Sequence, residues 1–317
     1  MFESFLFQAL LYILCFVFVW VGAGLIVSTI SNVSKFWKIP TFIVSFFLLG
    51  ILTSLPEISV STVAILNDDP VIIVGNLLGG IIVLFLGIIP LLGIFGNGVK
   101  VPSHLDKKRL FLILLVVLFP SLVTMDNQID MKDSLLLIAV YLSLFVSFFV
   151  RKTVPEKIKS PSKAKGKVRI AILLKIVVGV VLLVLASNQI VSTTIYFATL
   201  FNVSSFFVSL IVVAFGTNIP EISIIFRSVL ARKKEVAFAD YLGSASANTL
   251  LLGFFTLIHG KTISIPNHFM HRFSFLIIGL ILFFIFARSK NFLSRKESFF
   301  LLILYAAFIV FELLLVR

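Results

Sequence analysis

Two short stretches decide the fold of this chain: Leu52-Thr53-Ser54-Leu55-Pro56-Glu57 and Gly216-Thr217-Asn218-Ile219-Pro220-Glu221. Each places a glutamate directly after a proline inside a long apolar run, and the prolines at positions 56 and 220 are 164 residues apart. The same spacing separates Ile26-Val27-Ser28-Thr29 from Ile190-Val191-Ser192-Thr193. Two matches at one spacing, one of them holding a glutamate that is rare in a membrane, indicate an internal duplication.

The composition predicts that the chain lies in a membrane. Of its 317 residues, 60% are hydrophobic and 13% are charged, whereas soluble domains hold about 45 to 50% apolar and about 25% charged residues. The net charge of +13 could indicate nucleic acid, but the cations lie between apolar blocks and are not interleaved with exposed aromatic residues. We therefore expect membrane lipid around the chain and no nucleic-acid partner.

Ten apolar segments are candidates for membrane-spanning helices, which need about 20 residues each. These segments are Phe5–Ile30, Ile39–Leu66, Val71–Phe95, Leu110–Met125, Leu135–Val150, Ile170–Tyr196, Val203–Leu230, Val236–Ile258, Phe273–Ala287 and Phe299–Val316. Their continuous apolar runs lack the alternation of a membrane β-barrel. The sequence therefore predicts an all-α polytopic membrane protein with ten transmembrane helices.

The loop charges predict how these helices are oriented. Counted over alternate loops, 22 Lys and Arg residues lie on one side and 4 on the other. The positive-inside rule assigns the basic loops to the cytoplasm and both termini to the outside. We expect the location to be a plasma membrane of prokaryotic type.

The two copies are predicted to be inverted repeats. Five spans separate their starting points, and an odd number makes the copies enter the membrane from opposite sides. We therefore expect two inverted five-helix repeats, at residues 1–150 and 170–317, joined by a basic cytoplasmic linker at 151–169.

The repeated glutamates are the first candidates for a binding site. Pro56 and Pro220 should break their helices just before Glu57 and Glu221, and carbonyl groups freed inside a membrane are tolerated only where they line a cavity or bind something. An ionised side chain at the bilayer centre costs about 2.5 to 3.5 kcal/mol on insertion scales. A divalent cation held by both carboxylates would remove that cost. Protonated carboxyl groups are the alternative, and they would be candidates for proton coupling.

A polar stripe follows in the second copy. Asp240, Ser244 and Asn248 are spaced by four residues, which aligns them on one face of a helix. The equivalent positions of the first copy hold Asn76, Gly80 and Leu84, so most of the stripe is absent there. Asp240 is either part of the site or a solvated residue near the cytoplasmic end of its span.

These motifs resemble those of the cation/calcium exchanger superfamily. The stretches that end in Glu57 and Glu221 are similar to the Gly-Thr-Ser-Leu-Pro-Glu signature of its alpha repeats. Residues 75–80 and 240–244 resemble the Gly-Asn-x-x-Gly-Ser segment that follows in each repeat. The resemblance covers two alpha motifs, at 50–84 and 214–248, and the ten-span layout.

The resemblance implies an antiporter that exports calcium in exchange for sodium, or for protons in one branch, by alternating access. It implies that Glu57 and Glu221 bind calcium together with backbone oxygens at Thr53 and Thr217. Sodium sites in such proteins use carbonyls at the positions of Gly50 and Ala214 and side chains at those of Ser54, Asn218 and Ser244, and Asn248 matches a further polar position.

The sequence departs from the family pattern at several places. Gly80 and Leu84 stand where a serine and an asparagine are expected, Asn218 replaces a serine, and Leu52 replaces a glycine. Both glutamates remain, so these changes affect sodium coordination more than calcium coordination. A proton-coupled divalent cation exchanger, a cation channel and a degenerate homologue without exchange therefore stay open as alternatives.

The sequence also bears on enzymatic activity. Gly260-Lys261-Thr262 matches only the end of the phosphate-binding Gly-x-x-x-x-Gly-Lys-Ser/Thr loop, because Phe255 stands where the first glycine is required, and no Gly-x-Ser-x-Gly elbow is present. We therefore predict that transport is not driven by ATP. We also predict that the protein is not an enzyme and has no cofactor, and an intramembrane enzyme, for which the sequence offers only the Asp68-Asp69 pair, is a further alternative.

Overall fold

The computed structural model is helical along most of its length, and it describes residues 2–37, 40–66, 68–102, 105–150, 166–200, 205–265, 269–289 and 291–315. The helices of the first half are α1 (Phe2–Trp37), α2 (41–53), α3 (Leu55–Leu66), α4 (Val71–Phe95), α5 (Lys107–Val123) and α6 (Met131–Val150). Those of the second half are α7 (Gly166–Leu200), α8 (205–217), α9 (Ile219–Leu230), α10 (Lys234–His259), α11 (Phe269–Arg288) and α12 (Arg295–Leu315). Short strands are β1 (Val99–Lys100), β2 (Gln128–Ile129), β3 (Ile263–Ser264) and β4 (Phe292–Leu293).

The helix bounds repeat with the 164-residue spacing that the motifs show. Helix α3 (Leu55–Leu66) corresponds residue for residue to α9 (Ile219–Leu230). Helices α2 and α8 each contain a π-helical turn, at Ser45–Leu49 and Ser209–Val213, and these turns are again 164 residues apart. The duplication therefore extends from the motifs to the local irregularities of the backbone.

The strands connect the two halves of the chain. Strand β1 pairs antiparallel with β4, so that Val99 lies opposite Leu293, and β2 pairs with β3. With the 164-residue shift, β1 corresponds to β3 and β2 corresponds to β4. The β1–β4 sheet and the β2–β3 sheet are therefore equivalent when the two halves of the chain are exchanged. Such an exchange is expected of two repeats related by a pseudo-two-fold axis, and their inverted orientation in the membrane stays a prediction.

Several helices have the length and hydropathy of membrane spans. Within the described residues there are six: Thr41–Leu66, Val71–Phe95, Lys107–Asp126, Met131–Phe148, Lys234–His259 and Arg295–Leu314. Helices α8 and α9 supply a seventh if their bent pair counts as one span. Shorter apolar helices cover Ile13–Ile26, Ile170–Ala186 and Phe273–Arg288. The helical membrane architecture is thus as predicted, while the count of ten spans stays a prediction.

Several helices begin before the apolar runs from which spans were predicted. Helix α6 begins at Met131, four residues before the predicted Leu135, because Asp130 caps it by accepting hydrogen bonds from the backbone N–H groups of Lys132 (2.7 Å) and Asp133 (3.0 Å). These donors, that of Asp133 foremost, lower the pKa of the Asp130 carboxyl group. Helix α7 begins at Gly166, inside the predicted linker 151–169. Residues 151–165 of that linker lie outside the described part.

The start of α5 offers a direct test of capping. The Asp106 side chain accepts a 2.7 Å hydrogen bond from the backbone N–H of Arg109. We expect Asp106→Ala to lower the free energy of unfolding by about 1 kcal/mol, the usual value of such a cap. Asp106→Asn keeps the acceptor and serves as the control. Thermal unfolding of the purified protein in detergent measures both, and equal stability of the two variants would contradict this role for the cap.

Two glycines let the broken helices α2 and α8 lie against the buried helices α10 and α4. A Cβ atom at Gly243 of α10 would overlap the carbonyl oxygen of Phe46 in α2, and one at Gly79 of α4 would overlap that of Leu210 in α8. The two contacts are equivalent under the 164-residue shift. Close helix packing through small residues, which the glycines of 75–80 favour, therefore brings the motif stretches onto the core helices.

Candidate functional site

Both motif helices break where the prolines predict. Helix α2 ends at Thr53 and α3 begins at Leu55, and the intervening Ser54 has φ −81° and ψ 8°. The second break falls at Asn218, with φ −89° and ψ 11°, and there the chain bends by 41°. Proline lacks the N–H donor and clashes with the preceding turn, which explains why both helices are interrupted at these places.

The two glutamates lie buried in the first turns of α3 and α9. Glu57 and Glu221 are both 0% exposed. Oε1 of Glu57 accepts a hydrogen bond from Nδ2 of Asn218 (3.3 Å), and Oε1 of Glu221 accepts one from Oγ of Ser244 (3.1 Å). Neither Oε2 atom has a hydrogen-bond donor within the described part of the chain. The carboxylates are also close enough to repel each other electrostatically, which favours a cation between them.

The threonines before the breaks connect the two repeats. Thr53 donates from Oγ1 to Oδ1 of Asp240 (3.1 Å), and Thr217 donates from Oγ1 to Oδ1 of Asn76 (3.3 Å). These two contacts are equivalent under the 164-residue shift. The threonine side chains therefore hold each break against the core helix of the other half, and calcium ligation by their backbone oxygens stays a prediction.

The expected sodium-site residues lie in the same cluster. Ser54 donates from Oγ to the carbonyl oxygen of Gly50 (2.7 Å), and its Oγ lies 3.1 Å from Oγ of Ser244. Asn218 donates from Nδ2 to the carbonyl oxygen of Ala214 (2.8 Å). Both carbonyl groups thus accept hydrogen bonds from the side chain four residues later. The structure brings these residues together, and their binding of sodium stays a prediction.

The polar stripe of α10 faces this cluster. Asn248 is buried and donates from Nδ2 to the carbonyl oxygen of Leu77 (3.4 Å). Asp240 is also buried, which decides between the two sequence interpretations: it belongs to the cluster and is not a solvated residue. Asn76 was not predicted as a site residue, although its equivalence to Asp240 under the 164-residue shift was the signal that pointed to it.

The cluster is rich in oxygen atoms without a hydrogen donor. In the described residues these buried oxygens are Oε2 of Glu57, Oε2 of Glu221, Oδ2 of Asp240, Oδ1 of Asn218 and Oδ1 of Asn248. Among the described residues, no three His, Cys, Asp or Glu side chains are grouped so that they could hold a metal ion by themselves. A cation in this cluster must therefore use neutral oxygens as well as carboxylates, as calcium does when it takes six to eight oxygen ligands.

A family model and two curated membrane proteins match most of this sequence. The family model described as "Sodium/calcium exchanger protein" matches residues 7–150 and 171–314, two segments that are again 164 residues apart. The inner membrane protein YrbG of Escherichia coli (strain K12) is 26% identical over 276 residues, which cover 83% of each chain. The uncharacterized membrane protein MJ0091 of Methanocaldococcus jannaschii is 22% identical over 302 residues, covering 93% of this chain and 94% of that one.

A solved structure shares the fold. The sodium-calcium exchanger NCX_Mj, in a crystal soaked with 100 mM Na+ and 10 mM Sr2+, superposes with a TM-score of 0.78 at 20% sequence identity, covering 96% of this chain and 97% of that one. This similarity shows that the two chains share a fold. With the family model matching both halves, the chain is an integral membrane protein that belongs to the sodium/calcium exchanger protein family.

Proposed function

We propose that this protein is a secondary active antiporter that exports calcium from the cytoplasm in exchange for entering sodium. The observation that carries the proposal is the pair of buried carboxylates of Glu57 and Glu221, each at a helix break and each with one oxygen that has no donor among the described residues. Two buried like charges repel, and a divalent cation between them neutralises both.

The proposed calcium ligands are the carboxylates of Glu57 and Glu221 and backbone oxygens of Thr53 and Thr217. The proposed sodium ligands are the carbonyl oxygens of Gly50 and Ala214 and the side chains of Ser54, Asn218, Ser244 and Asn248. The two sets overlap in space, because Asn218 contacts Glu57 and Ser244 contacts Glu221. Calcium and the driving ion would therefore compete for one cluster, and competition couples their transport.

Alternating access follows from the charge of the site. An empty cluster with two ionised carboxylates is too costly to move through apolar surroundings, whereas either loaded form is close to neutral. In our proposal α1 and α7 slide across the core. They cross at Gly22 and Gly179, where a Cβ atom on either glycine would lie 2.9 Å from the backbone oxygen of the other. Close contact through these two glycines lets α1 and α7 pack against each other.

A proton-coupled divalent cation exchanger is the second candidate. It is favoured by one observation: the position equivalent to Ser244 is Gly80 in the first repeat, and so one hydroxyl group that could bind sodium is missing. In both candidates the protein lies in a plasma membrane of prokaryotic type, with its basic loops in the cytoplasm and both termini outside.

Proteoliposomes distinguish these candidates. Calcium uptake is measured first with an outward sodium gradient and no pH gradient, and then with an outward proton gradient and no sodium. Calcium uptake that requires the sodium gradient, and that a membrane potential without this gradient does not produce, would support the proposal. Uptake driven only by the proton gradient would favour the second candidate. Calcium flux that needs no counter-ion would show a channel, and no calcium binding at all would contradict both forms of exchange.

Asp240 offers a more specific test of the electrostatics. We expect Asp240→Asn to fold normally, because Asn76 shows that an amide fits the equivalent position and its oxygen can still accept from Thr53. The variant lacks a carboxylate that interacts electrostatically with Glu221. It should therefore bind calcium about tenfold more weakly, a change of about 1.4 kcal/mol. Isothermal titration of the purified protein measures this, and an unchanged affinity would remove Asp240 from the electrostatics of the site.

A further inference from the structure

In each half of the cluster a backbone carbonyl group is linked to a carboxylate by hydrogen bonds, but the two halves use different side chains for this link. On the side of Ser54, a carbonyl group is linked to a carboxylate by two hydroxyl groups: Ser54 donates to Gly50 (2.7 Å), Ser54 and Ser244 lie 3.1 Å apart, and Ser244 donates to Glu221 (3.1 Å). On the equivalent side, one residue makes the whole link. Nδ2 of Asn218 donates to the carbonyl of Ala214 (2.8 Å) and to the carboxylate of Glu57 (3.3 Å).

The orientation of this amide follows from its neighbours. A backbone carbonyl oxygen can only accept a hydrogen bond, so the Asn218 atom that lies 2.8 Å from the Ala214 oxygen must be the donor nitrogen. The same nitrogen then faces the Glu57 carboxylate with its second proton. An amide nitrogen has no lone pair available for a cation, whereas a serine hydroxyl can donate its proton and still ligate a cation through oxygen.

Gly80 makes the room that this arrangement requires. A Cβ atom at Gly80 would lie 2.8 Å from Nδ2 of Asn248 and 3.3 Å from Nδ2 of Asn218. A side chain here, such as the serine at the equivalent position 244, would push both amide groups. The glycine at 80 and the asparagine at 218 therefore form one coupled substitution, in which the longer side chain fills the space that the missing one leaves.

We propose that the amide nitrogen of Asn218 permanently occupies the place of one transported monovalent cation, so that only the Ser54–Ser244 half of the cluster retains a monovalent cation pocket. This inference narrows the set of sodium ligands proposed above, because Ala214 and Asn218 bind each other and leave sodium to the Ser54–Ser244 half. Its transport consequence rests on the proposed antiport, but its binding consequence is independent. Because the Asn218 amide is covalently part of the chain, it donates hydrogen bonds to Ala214 and Glu57 in every state of the transport cycle and cannot dissociate as a bound cation does. The protein should thus bind and exchange one monovalent ion fewer than a version in which both halves carry serines.

The double variant Gly80→Ser/Asn218→Ser tests this by giving both halves the serine arrangement. Equilibrium binding of radioactive sodium to the purified protein in detergent, without calcium, should show one more ion bound per chain than in the wild type. The reversal potential of calcium exchange in proteoliposomes should shift to the value for a stoichiometry with one more sodium ion per calcium ion. Asn218→Ser alone also removes the amide and should raise the count if the double variant fails to fold.

The opposite exchange provides the matched control. Ser54→Asn/Ser244→Gly places the amide arrangement in the other half and should lower the sodium count by one. Equal counts in the wild type, the double variant and the Asn218→Ser variant, including a count of zero throughout, would overturn the inference. A raised count in a protein that does not exchange calcium would support the inference and refute the proposed antiport, so the two failures are distinguishable.

Discussion

Replacing Glu57 or Glu221 with glutamine is expected to lower calcium-dependent exchange by at least about 100-fold, because the number of charged ligands changes calcium affinity by orders of magnitude. Glutamine keeps the size of the side chain and one oxygen acceptor, so Asn218 and Ser244 can still donate to positions 57 and 221. The variant sites lack one negative charge and should no longer balance a divalent cation. Calcium uptake into proteoliposomes under a sodium gradient measures the effect for each variant.

Glu297→Gln is the matched control for these variants. Glu297 accepts a 2.8 Å hydrogen bond from the backbone N–H of Ser294 at the start of α12, far from the cluster in sequence and in role. Glutamine is also accepted at such a capping position, so uptake should stay at the wild-type level. Undiminished exchange in both Glu57→Gln and Glu221→Gln would refute the proposed site. Thermal unfolding in detergent must show all three variants folded.

Gly79→Ala and Gly243→Ala are expected to destabilise the packed core strongly. The added methyl groups would overlap the backbone oxygens of Leu210 and Phe46, and backbone in a packed helix cannot move aside as a flexible side chain can. Overpacking of this kind lowers the free energy of unfolding by about 1 to 3 kcal/mol, and we expect the upper end of that range because the clashes are with backbone atoms. Gly243→Ala should also separate Ser54 from Ser244, because Gly243 and Ser244 face α2 at the same crossing.

Gly87→Ala is the control for these variants, because Gly87 lies on α4, the helix that also contains Gly79. A Cβ atom at Gly87 would lie 3.5 Å from the nearest ring atom of Tyr305, which is an ordinary van der Waals contact. We expect the free energy of unfolding of this variant to stay close to that of the wild type, because the added methyl group fits without a clash. Measured side by side in detergent, equal stabilities for alanine at 79, 87 and 243 would show that close packing of α2 and α8 is not required.

The local features of the site could be predicted from the sequence because their causes are local. A proline breaks its own helix, so Pro56 and Pro220 place the interruptions at Ser54 and Asn218 without knowledge of any other residue. The repeated spacing then implies that both breaks occupy equivalent positions in the two repeats. The π-helical turns at Ser45–Leu49 and Ser209–Val213 were not predicted, because their residues are ordinary helix or strand formers and give no sign of an inserted residue.

The contacts that join the halves could not be predicted in the same way. Thr53 meets Asp240 over 187 residues of chain, Asn218 meets Glu57 over 161, and Thr217 meets Asn76 over 141. The sequence left open whether Asp240 is solvated, since helical spacing fixes the face of a residue and not what packs against that face. It also showed Gly80 and Asn218 as two separate departures, and only their proximity reveals a single exchange of chemistry.

By itself, then, the sequence determined that this chain lies in a membrane, that it is duplicated, and that each copy carries an acid at a broken helix, since composition, periodicity and proline sterics act within short segments. Only the tertiary structure decided which donors those acids have and how the two copies differ at Asn218 and Gly80. The physical reason is that hydrogen bonds and steric exclusion between distant segments exist only once the helices are packed, and packing depends on the whole fold.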